Sequence, residues 1–120
     1  MTTITEAPFR LPEQPLAVEV VAKYFRALGD PTRLRILEAL TDGERSVGEL
    51  VELLGAPQPK VSSHLACLRW CGFVTSRRDF RTVYYRLADE RVEQMIVLAR
   101  SLLTDNADHV AACRTIDAGA

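Results

Sequence analysis

Long apolar runs are missing from this 120-residue sequence, so it offers no stretch of the roughly 20 apolar residues that a membrane-spanning helix needs. Residues 1–15 contain three prolines and have neither the basic start nor the apolar stretch of a secretion signal. We therefore expect a cytoplasmic protein with no membrane partner, in which residues 1–15 form a flexible N-terminal arm.

Cysteine is scarce, with only Cys67, Cys71 and Cys113 present. An odd number of cysteines in a cytoplasmic chain argues against a disulfide framework. The three residues are therefore expected to be free thiols or metal ligands.

The chain also lacks the excess of positive charge typical of nucleic-acid-binding proteins, because its net charge is −1. The charge is unevenly distributed, however. Residues 56–86 carry six basic residues and one acidic residue, whereas residues 1–55 and 87–120 are both acidic overall. Such a basic block concentrates a positive potential on one surface, where phosphates bind favourably. On charge alone, a merely solvated hairpin explains the block equally well.

Apolar periodicity and capping residues predict a mainly α-helical protein with one small β-hairpin. The predicted helices cover residues 17–28, 31–42, 47–54, 57–71, 89–104 and 106–114, and the hairpin covers residues 73–87. A short helix, a glycine turn, a second helix and a basic hairpin together form the layout of a winged helix-turn-helix.

This layout predicts contacts with DNA from two places. The helix over residues 57–71 would enter the major groove, and the hairpin would contact phosphates or the minor groove. The residues expected to bind DNA are Gln58, Lys60, Ser62, Ser63 and His64 on the helix and Arg77, Arg78 and Arg81 on the wing. The alternative is that these are ordinary polar surface residues, but layout and charge together favour DNA binding.

An enzyme is a weaker alternative. Cys67 with His64 is the only candidate pair of nucleophile and base, and no motif for substrate positioning or charge stabilisation accompanies it. We therefore expect no catalytic activity and no small-molecule substrate.

Three segments resemble the ArsR/SmtB family of metal-responsive repressors. They are ALGDPTRLRILEAL (27–40), ELVELLGAPQPKVSSHLACLRWCGFV (49–74) and YYRL (84–87). The resemblance implies a homodimer on a palindromic operator, with residues 16–105 as the DNA-binding and dimerisation domain and residues 106–120 as a C-terminal helix or tail. The apolar faces of residues 18–28 and 92–103 agree with such a dimer. One departure is Phe80, which stands where the family's wing usually has glycine.

Cys67 and Cys71 lie four residues apart, on one side of a helix, and soft metal ions prefer thiolates. From spacing alone, two small buried side chains remain the simpler explanation. The segment HLACLRWCGFV (64–74), however, resembles the CmtR-like cadmium- and lead-sensing branch of the family. That resemblance implies a third thiolate from the C-terminal region of the other subunit, and Cys113 matches it in kind and rough location. It also implies one Cd(II), Pb(II) or Hg(II) ion per chain.

Other metal sites of the family are not supported. Residues 47–50 offer no thiol for an arsenic-type site, and Arg91 and Leu102 replace the histidines that would join Asp89 in a zinc-type site. His109 is a spare ligand or a plain surface residue.

The sequence therefore predicts a metal-sensing repressor. Its metal-free dimer would bind the operator, and metal binding would release it and derepress metal-resistance genes. A redox-sensing repressor that uses the same cysteines remains the alternative.

Overall fold

The computed structural model describes residues 17–117, so the arm expected at residues 1–15 lies outside the described part of the chain. In chain order the elements are α1 (Val18–Leu28), α2 (Pro31–Ala39), β1 (Arg45–Ser46), α3 (Val47–Leu54), α4 (Gln58–Trp70), β2 (Val74–Asp79), β3 (Thr82–Leu87), α5 (Glu90–Leu103), α6 (Ala107–Ala111) and α7 (Arg114–Asp117). The protein is mostly helical with a small antiparallel sheet, as the sequence predicts.

Polar caps determine where α2 and α3 begin. The Asp30 carboxylate accepts a hydrogen bond from the backbone N–H of Arg33 at 3.1 Å. Ser46 and Glu49 form a reciprocal capping box, in which each side chain accepts a hydrogen bond from the backbone N–H of the other residue. Gly55 ends α3 with a φ of 63°, a conformation that glycine adopts at the least cost. These local features fix the corner between α3 and α4.

The centre of the core comes from α4. Its residues Val61, Leu65 and Leu68 follow helical spacing and are completely buried. Equally buried side chains from α2, α3 and the start of the sheet surround them, namely Ile36, Leu37, Leu50 and Phe73. Burial of one such side chain contributes about 1.5–3 kcal/mol. This stripe therefore fixes the rotation of α4 about its axis and decides which of its residues face outward.

The sheet has one strand more than the predicted hairpin. β2 and β3 pair with Asp79 opposite Thr82, which leaves a two-residue turn at Phe80 and Arg81. β1 adds two residues along the other edge of β3. The hairpin prediction was incomplete because a two-residue strand is too short to show alternation of apolar and polar residues.

The C-terminal region also differs from the single helix predicted over residues 106–114. α6 ends at Ala111, α7 begins at Arg114, and Cys113 lies between them. Every residue of α6 is at least partly exposed, so no core contact extends this helix beyond five residues.

Large apolar side chains remain exposed on α1, α5 and the two C-terminal helices. They are Val18, Val21, Phe25, Val97, Leu98, Leu102, Val110 and Ile116. A largely apolar groove of about 660 Å³ lies between α1, α2, α5 and α6. The described residues of one chain leave this surface uncovered, which is typical of an interaction face. Within residues 17–117, no helix has both the length and the apolar character needed to cross a membrane.

Candidate nucleic-acid interface and thiol site

The first turns of α4 present the predicted base-reading side chains outward. The exposed side chains are Gln58, Lys60, Ser62 and Ser63. They point outward because the stripe that begins at Val61 packs the other face of the helix against the core. This end of a helix, with amide, hydroxyl and ammonium groups, matches the donors and acceptors of base edges in the major groove.

His64 differs from the other residues predicted on this helix. Its Nε2 atom lies 3.8 Å from Oδ1 of Asp30, and only 20% of its side chain is exposed. Burial raises the pKa of Asp30, but the N–H of Arg33 and the nearby imidazole outweigh it and hold this pKa below its ordinary value. His64 therefore packs toward the start of α2, and its contact with DNA stays a prediction.

The wing arginines are not equivalent. Arg77 donates two hydrogen bonds to the carboxylate of Glu44, at 2.8 and 2.6 Å, and its guanidinium lies over the ring of Tyr84. Arg78 and Arg81 are exposed. Phosphate contacts by all three arginines stay a prediction, and Arg77 would first have to leave its carboxylate partner to make one.

Phe80 occupies the tip of the wing. It is the first residue of the two-residue turn, its φ is 57°, and 93% of its surface is exposed. A side chain at a positive φ is disfavoured in L-residues, and glycine is the residue that this turn position prefers.

The thiol of Cys67 has a partner that sequence reasoning missed. Arg33 Nη1 donates a hydrogen bond to Cys67 Sγ at 2.9 Å, across 34 positions of the chain. Arg33 Nε is buried and has no hydrogen-bond partner in the described part of the chain. The guanidinium is thus held partly out of water, with the Cys67 sulfur as the acceptor in front of it.

Cys71 caps the C-terminal end of α4, one turn beyond Cys67. Partial burial raises the pKa of the Cys71 thiol and the Cys67 sulfur raises it further, whereas Arg33 and Lys23 oppose this without cancelling it. The pKa of Tyr24 is raised mainly by burial, with Cys71 among the groups that contribute. The thiol pair therefore lies at the junction of α4 with α1 and α2.

Cys113 is half-buried between α6 and α7. Among residues 17–117 of one chain, no three His, Cys, Asp or Glu side chains lie close enough together to hold a metal ion. His109 is exposed on α6. Asp89 caps α5 and accepts hydrogen bonds from Arg91, which lower the pKa of Asp89 to about 2. The part of one chain that the structure describes thus brings together two thiols but no complete set of ligands.

A helix-turn-helix followed by a basic hairpin defines the class of winged helix-turn-helix DNA-binding domains. The family of bacterial regulatory proteins named arsR matches residues 30–76. A probable mercury resistance operon repressor of Streptomyces lividans is 46% identical over 98 residues, which cover 82% of this chain and 78% of the relative. The chain therefore belongs to the ArsR family of bacterial regulators. The similar proteins, this mercury resistance repressor and CmtR, are named as transcriptional regulators and not as enzymes.

Two further comparisons agree with this assignment. The regulator CmtR of Mycobacterium bovis is 46% identical over 76 residues, which cover 63% of this chain and 64% of that protein. The solution structure of a homodimeric winged helix-turn-helix domain from Mycobacterium bovis matches with a TM-score of 0.70 and 29% identity, covering 84% of this chain and 94% of the other.

Proposed function

We propose that this chain is a metal-sensing transcriptional repressor. Its metal-free homodimer binds operator DNA through α4 and the wing. Cys67, Cys71 and Cys113 bind a thiophilic divalent ion, and the dimer then leaves the DNA. One observation carries the proposal: Cys67 and Cys71 are neighbours at the C-terminal end of α4. The N-terminal end of the same helix exposes the side chains proposed to contact bases.

DNA binding is supported by what the two surfaces offer. α4 exposes Gln58, Lys60, Ser62 and Ser63 from a helix whose rotation is fixed by the core. Arg78 and Arg81 add positive charge on the wing, which suits phosphate contacts. The relatives named as repressors are similar to this chain across the same region.

A homodimer is supported by the apolar side chains left exposed on α1 and α5 and by the groove between them. A matching structure of 29% identity is itself homodimeric. Two copies related by a twofold axis would bring two α4 helices to successive major grooves, so the operator would be palindromic.

The thiol pair suits a soft ion for two reasons. Cys67 and Cys71 lie one helical turn apart, and thiolates are the ligands that Cd(II), Pb(II) and Hg(II) prefer. Three thiolates around a divalent ion carry one excess negative charge. Arg33, which already donates to Cys67 Sγ, would offset this charge and orient the sulfur.

Cys113 completes the proposed set. Since no third ligand lies beside Cys67 and Cys71 among the described residues of one chain, we assign Cys113 to the site from the partner subunit. The stoichiometry would then be one ion per chain and two per dimer.

Coupling to DNA follows from where the thiols lie. Cys67 contacts Arg33 of α2, and Cys71 lies close to Lys23 and Tyr24 of α1, the helix proposed to form the dimer. Ligation of both sulfurs together with Cys113 would tie the end of α4 to the C-terminal segment and change the spacing between the two α4 helices. A coupling of about 1–3 kcal/mol weakens DNA binding roughly 5- to 150-fold.

The test of the metal site is a titration of reduced, metal-free protein with Cd(II), Pb(II), Hg(II) and Zn(II), followed by the ultraviolet charge-transfer absorption of metal-bound thiolates. We expect a band that saturates near one ion per chain and weakens in Cys67→Ser, Cys71→Ser and Cys113→Ser. The order of affinities would identify the effector.

Sharing between subunits has its own test. A mixed dimer of one Cys67→Ser chain and one Cys113→Ser chain regains one intact site only if the site takes Cys113 from the opposite chain. Recovery of the band on mixing supports this arrangement, whereas no recovery places all three ligands in one subunit.

If no soft ion gives a band and peroxide releases the DNA, the redox-sensing alternative replaces the proposal.

A further inference from the structure

The tip of the wing carries a bare aromatic ring. Phe80 is 93% exposed, more than any other large apolar side chain in the described part of the chain. Its position in a two-residue turn puts the ring at the far end of the β2–β3 hairpin, away from the core around α4. Packing among residues 17–117 therefore gives no reason for an aromatic residue here.

The backbone gives no reason either. Phe80 has a φ of 57°, where the Cβ atom of an L-residue is crowded and glycine is favoured. A non-glycine residue held in such a conformation is a recognised indication of a functional constraint. The turn would be easier to form with glycine, so the backbone of the described residues does not account for the ring.

The charges around the ring indicate which kind of molecule that is. Arg78 and Arg81 lie within two residues of Phe80 along the chain and are exposed, and the acidic neighbour in sequence is Asp79, the last residue of β2. Arg77 is held by Glu44 lower on the hairpin. An exposed ring with exposed arginines beside it in the sequence fits a partner in which phosphates border stacked bases, as they do along the minor groove of duplex DNA.

We propose that Phe80 is an apolar wedge that enters the minor groove of the bound duplex and partly unstacks one base step beside each half-site. The inference rests on the proposed function, because it requires that α4 binds DNA. Arg78 and Arg81 would contact the phosphates that border the groove. Pyrimidine–purine steps, which unstack most easily, would be favoured at that position.

The test begins with duplexes that wild-type protein selects from a random-sequence library, since the operator is unknown. Single adenines next to the selected half-sites are replaced by 2-aminopurine, whose fluorescence rises when it unstacks. Binding affinity is measured on the same duplexes. The variants are Phe80→Gly, which removes the ring and suits the turn, and Phe80→Leu, which keeps an apolar wedge. Arg81→Gln removes a charge and leaves the ring in place.

The wedge predicts a fluorescence increase at one step per half-site with wild-type protein. Phe80→Gly should abolish this increase and weaken binding about tenfold, the magnitude typical of one lost contact between an aromatic side chain and a base. Phe80→Leu should keep most of both signals. Arg81→Gln should weaken binding and reduce its salt dependence without removing the fluorescence increase.

Other results overturn the inference in distinguishable ways. If Phe80→Gly binds like wild type with the same fluorescence pattern, the ring does not act on DNA and the tip contacts another partner. If Phe80→Gly weakens binding but no step fluoresces with wild type, the ring touches the backbone and is no wedge. If wild-type protein selects no duplex at all, the proposed function fails and this inference fails with it.

Discussion

Replacing Arg33 with methionine is expected to weaken binding of the thiophilic ion while leaving the fold intact. Arg33 donates to Cys67 Sγ at 2.9 Å, so the variant removes the group that orients this sulfur and offsets the charge of the thiolates. Methionine keeps an unbranched apolar chain along the path of the arginine stem. It also removes a buried Nε atom for which the described residues provide no partner, so folding loses little.

The magnitude follows from the contact that is lost. A hydrogen bond to a charged group contributes about 1.5–3 kcal/mol net. Since about 1.4 kcal/mol corresponds to a tenfold change in a binding constant, the affinity should fall by about 10- to 100-fold. Loss of a supporting group behind a metal ligand typically has an effect of this size.

The assay is a competition titration of metal-free protein against a chromophoric chelator, with Arg35→Met as the matched control. Arg35 lies on the same helix and is exposed, so Arg35→Met removes the same charge as Arg33→Met. The hydrogen bond to Cys67, however, comes from Arg33. Arg35→Met should stay within about threefold of wild type, as expected for a screened surface charge. Equal losses in both variants would show that only overall charge matters. No loss in Arg33→Met would refute the supporting role of Arg33.

Three further predictions concern the wing, the core and the start of α2. Glu44→Gln frees Arg77 for phosphate, so DNA affinity should rise and the slope of log K against log salt should steepen by about one; an unchanged slope would mean that Arg77 stays off the DNA. Leu65→Ala opens the centre of the core and should cost about 2–5 kcal/mol in urea unfolding, against less than about 0.5 kcal/mol for exposed Ala66→Ser. Asp30→Ala removes the cap of α2 and should cost about 1 kcal/mol, an effect that Asp30→Asn should largely avoid in the same assay.

Local patterns in the sequence predict most of the fold. The stripe of Val61, Leu65 and Leu68 recurs at helical spacing, and each of these side chains is fully buried. The capping box at Ser46 and the glycine turn at Gly55 are equally local, since they depend on residues a few positions apart. Two elements depend on pairing or packing instead. β1 exists only because it pairs with β3, and the break between α6 and α7 reflects missing core contacts.

The candidate site was less predictable, because its contacts join distant parts of the chain. Arg33 reaches Cys67 across 34 positions, and Glu44 holds Arg77 across 33. Nothing in the spacing of either pair signals the contact. His64 lies on the correct helix, but its approach to Asp30 depends on how α2 crosses α4. For Cys67 and Cys71, in contrast, the four-residue spacing is enough to predict that the two thiols are neighbours on α4.

The central claim is that ligation of the cysteines releases DNA. Its most direct test follows the fluorescence anisotropy of a selected duplex bound to reduced, metal-free protein as the tightest-binding soft ion is added. For wild type, we expect the anisotropy to fall to the value of free duplex near one ion per chain. Cys67→Ser should bind the same duplex without metal and stay bound over the same range. If wild type also stays bound at saturating ion, or if Cys67→Ser is released equally well, ligation of the thiol site does not control DNA binding.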